Sequence, residues 1–286
     1  MQKPTILVTG ANGQLGRELQ VLSDAHPGYS FIFTDRSQLS IEHPQQVLDL
    51  FAMHNPAWCI NCAAYTAVDK AETEKEVAFR INGEAPGYLA AACRRTGARL
   101  IHVSTDYVFD GTSATPLKEK DKTGPINIYG ASKLEGEHNA MEQHPDGTVI
   151  LRTAWVYSEF GNNFVKTMIR LMKERPAINV VDDQIGSPTY AADLAAAILT
   201  IIKSPRFVPG IYHYSNEGRI SWFEFAMAIR SHIGSACAVS PIPSTQFPTP
   251  AKRPHFSLLD KTLIRDTYQV TIPAWETSLD TCIKRL

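Results

Sequence analysis

Tyr129 and Lys133 stand four residues apart in Asn127-Ile128-Tyr129-Gly130-Ala131-Ser132-Lys133, a spacing that brings two side chains to one face of a helix. A phenol with a pKa of about 10 is shifted toward its anion by a fixed ammonium beside it, which suits it to protonate an alkoxide near neutral pH. Alone the pair says little, because Tyr and Lys four apart occur on many solvated helices. Its weight comes from two stretches that precede it. Gly10-Ala11-Asn12-Gly13-Gln14-Leu15-Gly16 lies between the apolar run Thr5-Ile6-Leu7-Val8-Thr9 and a helix-like stretch. Strand, glycine turn and helix in that order let the backbone approach a pyrophosphate at the unpaired N–H groups of the helix. Ser104-Thr105-Asp106-Tyr107 follows the apolar Leu100-Ile101-His102-Val103 and sets a hydroxyl at the carboxyl end of a strand, where open parallel sheets bind ligands.

The elements that must position these residues alternate. Strands are expected at 5–9, 31–34, 58–62, 100–103 and 149–151, with helical stretches following the glycine turn, at 44–54, over 74–96 and around Tyr129. Such alternation implies parallel βαβ units with right-handed crossovers. The expected fold class is α/β, a Rossmann-like doubly wound parallel sheet with a smaller C-terminal α/β substrate-binding lobe. Residues 1–154 are expected to form the dinucleotide-binding domain, with some later segments returning to it, and 155–286 mainly the substrate lobe. Asp35 ends the second strand about 20 residues after the glycine turn, where an acidic side chain binds the adenosine ribose; Arg36 beside it could receive the extra phosphate of NADP. NADPH and NADH therefore both remain open. Small residues Ala63 and Ala64 at the third strand's end suit close contact with such a cofactor. Beyond residue 152, helix-like stretches at 164–173, 191–202 and 222–233 alternate with short strands at 178–181 and 210–214. Ser221 and Glu224 fit a capping box, and five prolines between 241 and 254 predict an extended loop.

Composition excludes several classes. With 286 residues, 44% hydrophobic and 20% charged, the chain can bury one large core or two lobes. A formal net charge of -1 without a Lys/Arg block argues against a nucleic-acid or membrane-surface partner. The run at 191–202 is interrupted by Asp193, and no apolar stretch approaches the roughly 20 residues of a membrane span. Met1-Gln2-Lys3-Pro4 passes into a strand with no apolar signal region, and the five cysteines are odd in number, so a cytoplasmic location is expected. Cys59 and Cys62 face opposite sides of one strand and are expected as buried core thiols.

The glycine turn, Ser104 through Gly111, and Tyr129-Gly-x-x-Lys133 resemble an extended short-chain dehydrogenase/reductase. Asn61-Cys62-Ala63-Ala64-Tyr65-Thr66-Ala67-Val68-Asp69-Lys70-Ala71-Glu72, Arg152-Thr153-Ala154-Trp155-Val156-Tyr157, Gly161-Asn162-Asn163-Phe164, Asp183-Gln184-Ile185-Gly186-Ser187-Pro188-Thr189 and Pro250-Ala251-Lys252-Arg253-Pro254 narrow the resemblance to the dTDP-4-dehydrorhamnose reductases, over nearly the whole chain. The resemblance implies hydride transfer from NADPH or NADH to C4 of dTDP-4-dehydro-6-deoxy-L-mannose, giving dTDP-L-rhamnose. It implies Tyr129 as proton donor, Lys133 on the nicotinamide ribose and lowering the Tyr129 pKa, and Thr105 on the C4 oxygen. For the cofactor it implies Gly10, Gly13, Gln14, Leu15 and Gly16 of the turn, Asp35 and Arg36, and then Ala63, Ala64 and Tyr65. For the sugar it implies Thr66, Val68, Asp106, Tyr107, Trp155 and Asn163, and Arg253 for the diphosphate, where a planar bidentate donor fits.

Some members of that family bind Mg2+ between acidic residues at a dimer interface. Glu18 matches one such position, but Asp193 stands where a glutamate is expected and no third acidic partner is found, so no metal ligands are assigned and the expected state is monomer or homodimer. Ser40 lies where relatives often carry an aspartate. Two other readings compete. A related nucleotide-sugar reductase or epimerase would use the same Thr, Tyr and Lys. A non-catalytic regulatory subunit resembling the β subunit of methionine adenosyltransferase would keep the dinucleotide fold but lacks the Arg-Thr-x-Trp-Val-Tyr and Gly-Asn-Asn-Phe segments.

Overall fold

The structure is a computed structural model and describes residues 3–286; residues 1 and 2, where the reading of the N-terminus begins, lie outside the described residues. The elements run β1 Thr5–Thr9, α1 Gln14–Ser23, β2 Ser30–Thr34, α2 Pro44–His54, β3 Trp58–Asn61, α3 Val68–Ala71, α4 Lys75–Ala78, a π-helical turn Phe79–Glu84, α5 Ala85–Thr96 and β4 Arg99–Thr105. There follow α6 Ile128–Gln143, β5 Thr148–Thr153, β6 Val156–Tyr157, α7 Phe164–Glu174, β7 Ala177–Val181, β8 Ile185–Gly186, β9 Thr189–Tyr190 and α8 Ala191–Lys203. The chain closes with β10 Gly210–His213, β11 Ile220–Ser221, α9 Trp222–His232, β12 Ala238–Ile242, α10 Thr262–Tyr268 and α11 Trp275–Ile283.

Six strands form one parallel sheet in the order β10-β5-β4-β3-β1-β2. Strand side chains alternate between faces. Ile6, Val8, Ile60 and Ile101 therefore pack with α1 and α8 on one side, while Leu7, Cys59 and Leu100 pack with α2 and α5 on the other. The order turns back between β1 and β3, so the crevice at their carboxyl ends is where such a sheet takes its ligand. The glycine turn follows β1 there. This is the doubly wound Rossmann-type sheet expected from the alternation.

Residues after Val156 build a second apolar core, in which Val165 and Met168 of α7, Phe225 and Ile229 of α9, and Leu279 of α11 surround Tyr157 and Tyr190. Short pairs β7–β12, β8–β11 and β6–β9 lie around it. The later chain also returns to the large sheet through β10, on β5, and through α8, packed on α1. Ser221 and Glu224 form the capping box of α9 in both directions. The proline-rich stretch differs from the expected loop at its start: Pro241 lies within β12, at the end of the two-stranded sheet with β7. That is tolerated because β12 is an edge strand and needs no second ladder.

Candidate active site

The turn after β1 is a cradle with no side-chain filling. Gly10 has φ +68, and a Cβ there would lie 2.6 Å from the Ala63 amide nitrogen at the end of β3. Only glycine allows both the backbone conformation and the approach. Gly13 begins α1 without a side-chain cap, and the first turn of α1 carries no acidic residue. The leading N–H groups are thus left for an anion, a setting that fits a dinucleotide pyrophosphate.

Tyr129 is placed by the start of α6. Asn127 caps that helix, accepting from the Gly130 amide at 2.7 Å, and its Nδ2 donates to the Lys252 carbonyl at 2.7 Å. Glu72 accepts from the Ile128 amide at 2.9 Å. Gly130 lets the helix press onto the turn that follows β4, since a Cβ would stand 2.1 Å from the Tyr107 carbonyl. One helical turn past Tyr129, Lys133 is 2% exposed and its Nζ donates to the Val103 carbonyl at 2.6 Å. Another turn on, Glu137 accepts from Ser104 Oγ at 2.5 Å and from Arg152 Nη2 at 2.6 Å. A buried polar frame thus ties α6 to β4 and β5.

The electrostatics differ from the expected lowering of the Tyr129 pKa. Burial pushes the phenol up to about 12, opposed by the Thr105 hydroxyl and reinforced by Asp106. Lys133 is itself pushed down to about 8 by burial, with Glu137 and Cys62 opposing. The ammonium is held against Val103 and toward Glu137, so desolvation governs both groups. Asp106 is pushed up to about 6 by burial; its Oδ1 accepts from Thr105 Oγ1 at 3.0 Å.

These residues border one cavity of about 890 Å3, within the range of about 300–1,000 Å3 common for small-molecule sites. From the glycine turn it is lined by Gly10, Gly13, Gln14 and Leu15, and beyond β2 by Arg36. After β3 it meets Ala63, Ala64, Tyr65, Thr66 and Val68. Thr105, Asp106 and Tyr107, then Tyr129 and Lys133, and finally Trp155 are the other expected residues that line it. Four expected residues do not line it. Gly16 is buried within α1. Asp35 accepts from Asn12 Nδ2 at 2.9 Å and from the Ser37 amide at 2.9 Å, and these Ser37 contacts hold its carboxyl below the ordinary range. Asn163 caps α7 and donates to Gln14 Oε1 at 2.9 Å, so it reaches the cavity through Gln14. Arg253 is engaged by Asp69, its Nη1 and Nη2 donating at 3.1 and 2.9 Å.

Other cavity residues escaped the sequence reading. Trp222 stacks on Trp155 with ring centroids 3.6 Å apart, and Trp155 holds a left-handed φ of +49. The position of Trp222 at the first turn of a capped helix is a signal for helix start only. Cys62 is half-buried and reaches the cavity, while Cys59 lies in the core on the other face; burial pushes the Cys62 thiol far up. Asn82, in the π-helical turn, is buried behind the cavity wall and binds both the amide and the carbonyl of Tyr65 at 2.8 and 3.0 Å, a use of a π-turn beside a site with no local sequence signal. Among the described residues no group of three or more His, Cys, Asp or Glu is placed to hold a metal ion. Glu18 is buried, accepts from Ser158 Oγ at 2.6 Å and is pushed up to about 7 by burial; Asp193 accepts from Asn216 and Ser278. No helix among the described residues is long and apolar enough to cross a membrane.

Comparison with known proteins gives a consistent picture. The family described as RmlD substrate binding domain matches residues 4–286. The dTDP-4-dehydrorhamnose reductase of Aggregatibacter actinomycetemcomitans is 40% identical over 284 residues, covering 96% of this chain and 96% of the relative. That of Streptomyces griseus is 44% identical over 263 residues, covering 91% and 86%. Among solved structures, the dTDP-4-dehydrorhamnose reductase of Bacillus anthracis strain Ames in complex with NADP is 42% identical, with a TM-score of 0.95 over 100% of both chains.

Proposed function

The chain belongs to the RmlD substrate binding domain family, and from this membership we propose that it reduces the C4 ketone of dTDP-4-dehydro-6-deoxy-L-mannose to give dTDP-L-rhamnose. It is a nicotinamide-dependent oxidoreductase, as the resemblance in its sequence implies. The observation that carries the finer reading is the convergence of Thr105, Tyr129, Lys133 and Trp155 on the cavity that begins at the glycine cradle.

In this reading the diphosphate of the coenzyme lies on Gly10, Gly13, Gln14 and Leu15, where the uncapped start of α1 suits an anion. Ala63, Ala64 and Tyr65 form its wall, and Lys133 takes the nicotinamide ribose. When bound, the reduced nicotinamide supplies a hydride to the substrate carbon. Thr105 turns its single hydroxyl proton from Asp106 to the C4 oxygen, and Tyr129 transfers its phenolic proton to that oxygen as it becomes an alkoxide. A phenol near pKa 12 remains a strong enough acid, because an alkoxide is comparable in basicity with hydroxide, whose parent water has a pKa of about 15.7. Lys133 supplies the positive charge that makes the remaining phenolate tolerable. The part after residue 155 is assigned to the sugar nucleotide, with stacked Trp155 and Trp222 as one wall and Arg253 near the diphosphate. Thr66, Val68 and Tyr107 line the same cavity.

Incubation with freshly generated dTDP-4-dehydro-L-rhamnose and either reduced coenzyme tests the proposal. Coenzyme oxidation yielding dTDP-L-rhamnose supports it. Oxidation with another nucleotide-sugar ketone alone would replace the substrate, and binding without turnover would reject the reaction.

A further inference from the structure

The sheet order sets β2 beyond β1, on the far side of the glycine turn from β4 and β5. The end of the cavity at β2 is therefore the end remote from Thr105 and Tyr129, and in the dinucleotide reading above, on which the inference rests, it receives the adenosine. Three charges meet there. Arg36 donates from Nη2 to Glu42 Oε2 at 3.2 Å, and Arg80, from the π-helical turn, donates from Nε to Glu42 Oε1 at 2.7 Å. The Glu42 side chain is 7% exposed, against 77% for Arg36 and 46% for Arg80. One sheltered carboxylate is thus held between two open guanidiniums, one on each oxygen. Asp35 takes no part, because its oxygens are committed to Asn12, Ser37 and Gln38.

A carboxylate bridging two guanidiniums makes the contacts that a phosphate monoester would make with the same cations. We propose that Glu42 sets the coenzyme specificity by occupying the cation site that a 2′-phosphate on the adenosine ribose requires. Arg36 and Arg80 serve that phosphate only as far as they leave Glu42, whereas a coenzyme with a free 2′-hydroxyl needs no such exchange. The nearby Ser40 hydroxyl, 3.4 Å from Glu42 Oε2, stays with the carboxylate and adds to its hold.

Calorimetric titration of the full chain with adenosine 2′,5′-bisphosphate and with 5′-AMP separates the phosphate from the rest of the coenzyme and needs no turnover. Glu42→Gln is expected to tighten the bisphosphate about tenfold, the scale of one charge-assisted hydrogen bond, and to leave 5′-AMP unchanged. Arg36→Met in the Glu42→Gln background should abolish the gain. Arg36→Met and Arg80→Met alone should each weaken the bisphosphate and spare 5′-AMP, which keeps the test decisive should Glu42→Gln fail to fold. Bisphosphate affinity that is unchanged or weaker in folded Glu42→Gln overturns the proposal, as does indifference to both arginine changes. Failure of the unaltered chain to bind 5′-AMP or NADH at all would instead remove the dinucleotide reading, and the proposal with it.

Discussion

Arg253 and Asp69 meet end to end, guanidinium to carboxylate, joining the proline-rich stretch to the first short helix after β3. The same carboxylate accepts from the Ala251 amide at 3.2 Å, and Thr249 accepts from Arg253 Nη1 at 2.5 Å. A segment 182 residues away in sequence is thereby held beside Tyr107 and the cavity. Against burial, which lowers it, Asp69 and Tyr107 keep the guanidinium firmly charged. Arg253→Met is expected to raise the KM for the sugar nucleotide about 10- to 100-fold, the loss of a charged hydrogen bond worth about 1.5–3 kcal/mol, with coenzyme affinity unchanged. An unaltered KM would leave Arg253 as a strap for the loop and nothing more.

Glu137 and Arg152 are 1% and 3% exposed in their side chains and share hydrogen bonds of 2.6, 2.9 and 3.2 Å. Removing one partner strands a buried charge, at a cost of about 3–5 kcal/mol. Urea denaturation of Glu137→Ala should show a loss of that size. A change under 1 kcal/mol (about the value of an exposed pair) would mean that water reaches Arg152.

Coenzyme affinity is expected to fall as pH rises through about 8, because the charge of Lys133 is lost there and not near its ordinary 10.5. The folded pKa is depressed, so the folded chain binds this proton less tightly than the unfolded one. Its contribution to stability consequently rises with pH across the same interval, from about 8 to 10.5. Titrating NADPH affinity against pH in the unaltered chain and in Lys133→Met checks this. A limb at pH 8 that persists without the lysine would assign it to another group.

Much of this site could be read from the chain because its chemistry sits at strand ends. Gly10 and Gly13, Thr105, and the Tyr129–Lys133 pair each lie within a few residues of the pattern that announces them. What escaped depends on distance in sequence. Trp222 becomes a cavity wall only by stacking on Trp155, and Arg80 and Glu42 meet across 38 residues. Asp35 and Asn163 do not line the cavity, because their hydrogen bonds turn them to Asn12 and to Gln14. The Tyr129 acidity does not follow from the spacing, since burial raises its pKa and the Lys133 ammonium donates to the Val103 carbonyl. In the fold, α10 is seven residues long with only Ile264 and Tyr268 buried, too short to show a period, whereas α11 buries Trp275, Ser278, Leu279 and Cys282 at helical spacing, a signal present in the sequence; β10 joins the large sheet beside β5.

Tyr129→Phe is expected to lower turnover by about 100- to 10,000-fold, the usual effect of losing a positioned acid. Affinities for coenzyme and sugar nucleotide should hold, because the ring keeps its edge-to-face packing on Tyr107 at 5.8 Å. Stopped-flow and equilibrium binding together separate the two effects; turnover near that of the unaltered chain would remove Tyr129 from proton donation.

The most direct measurement is of the product formed from dTDP-4-dehydro-L-rhamnose and coenzyme doubly deuterated at C4 of the nicotinamide, read by proton NMR. The expected product is dTDP-L-rhamnose with deuterium at C4 of the sugar and nowhere else. A product epimeric at C4, deuterium absent from that carbon, or no product from chain that binds the coenzyme would contradict it.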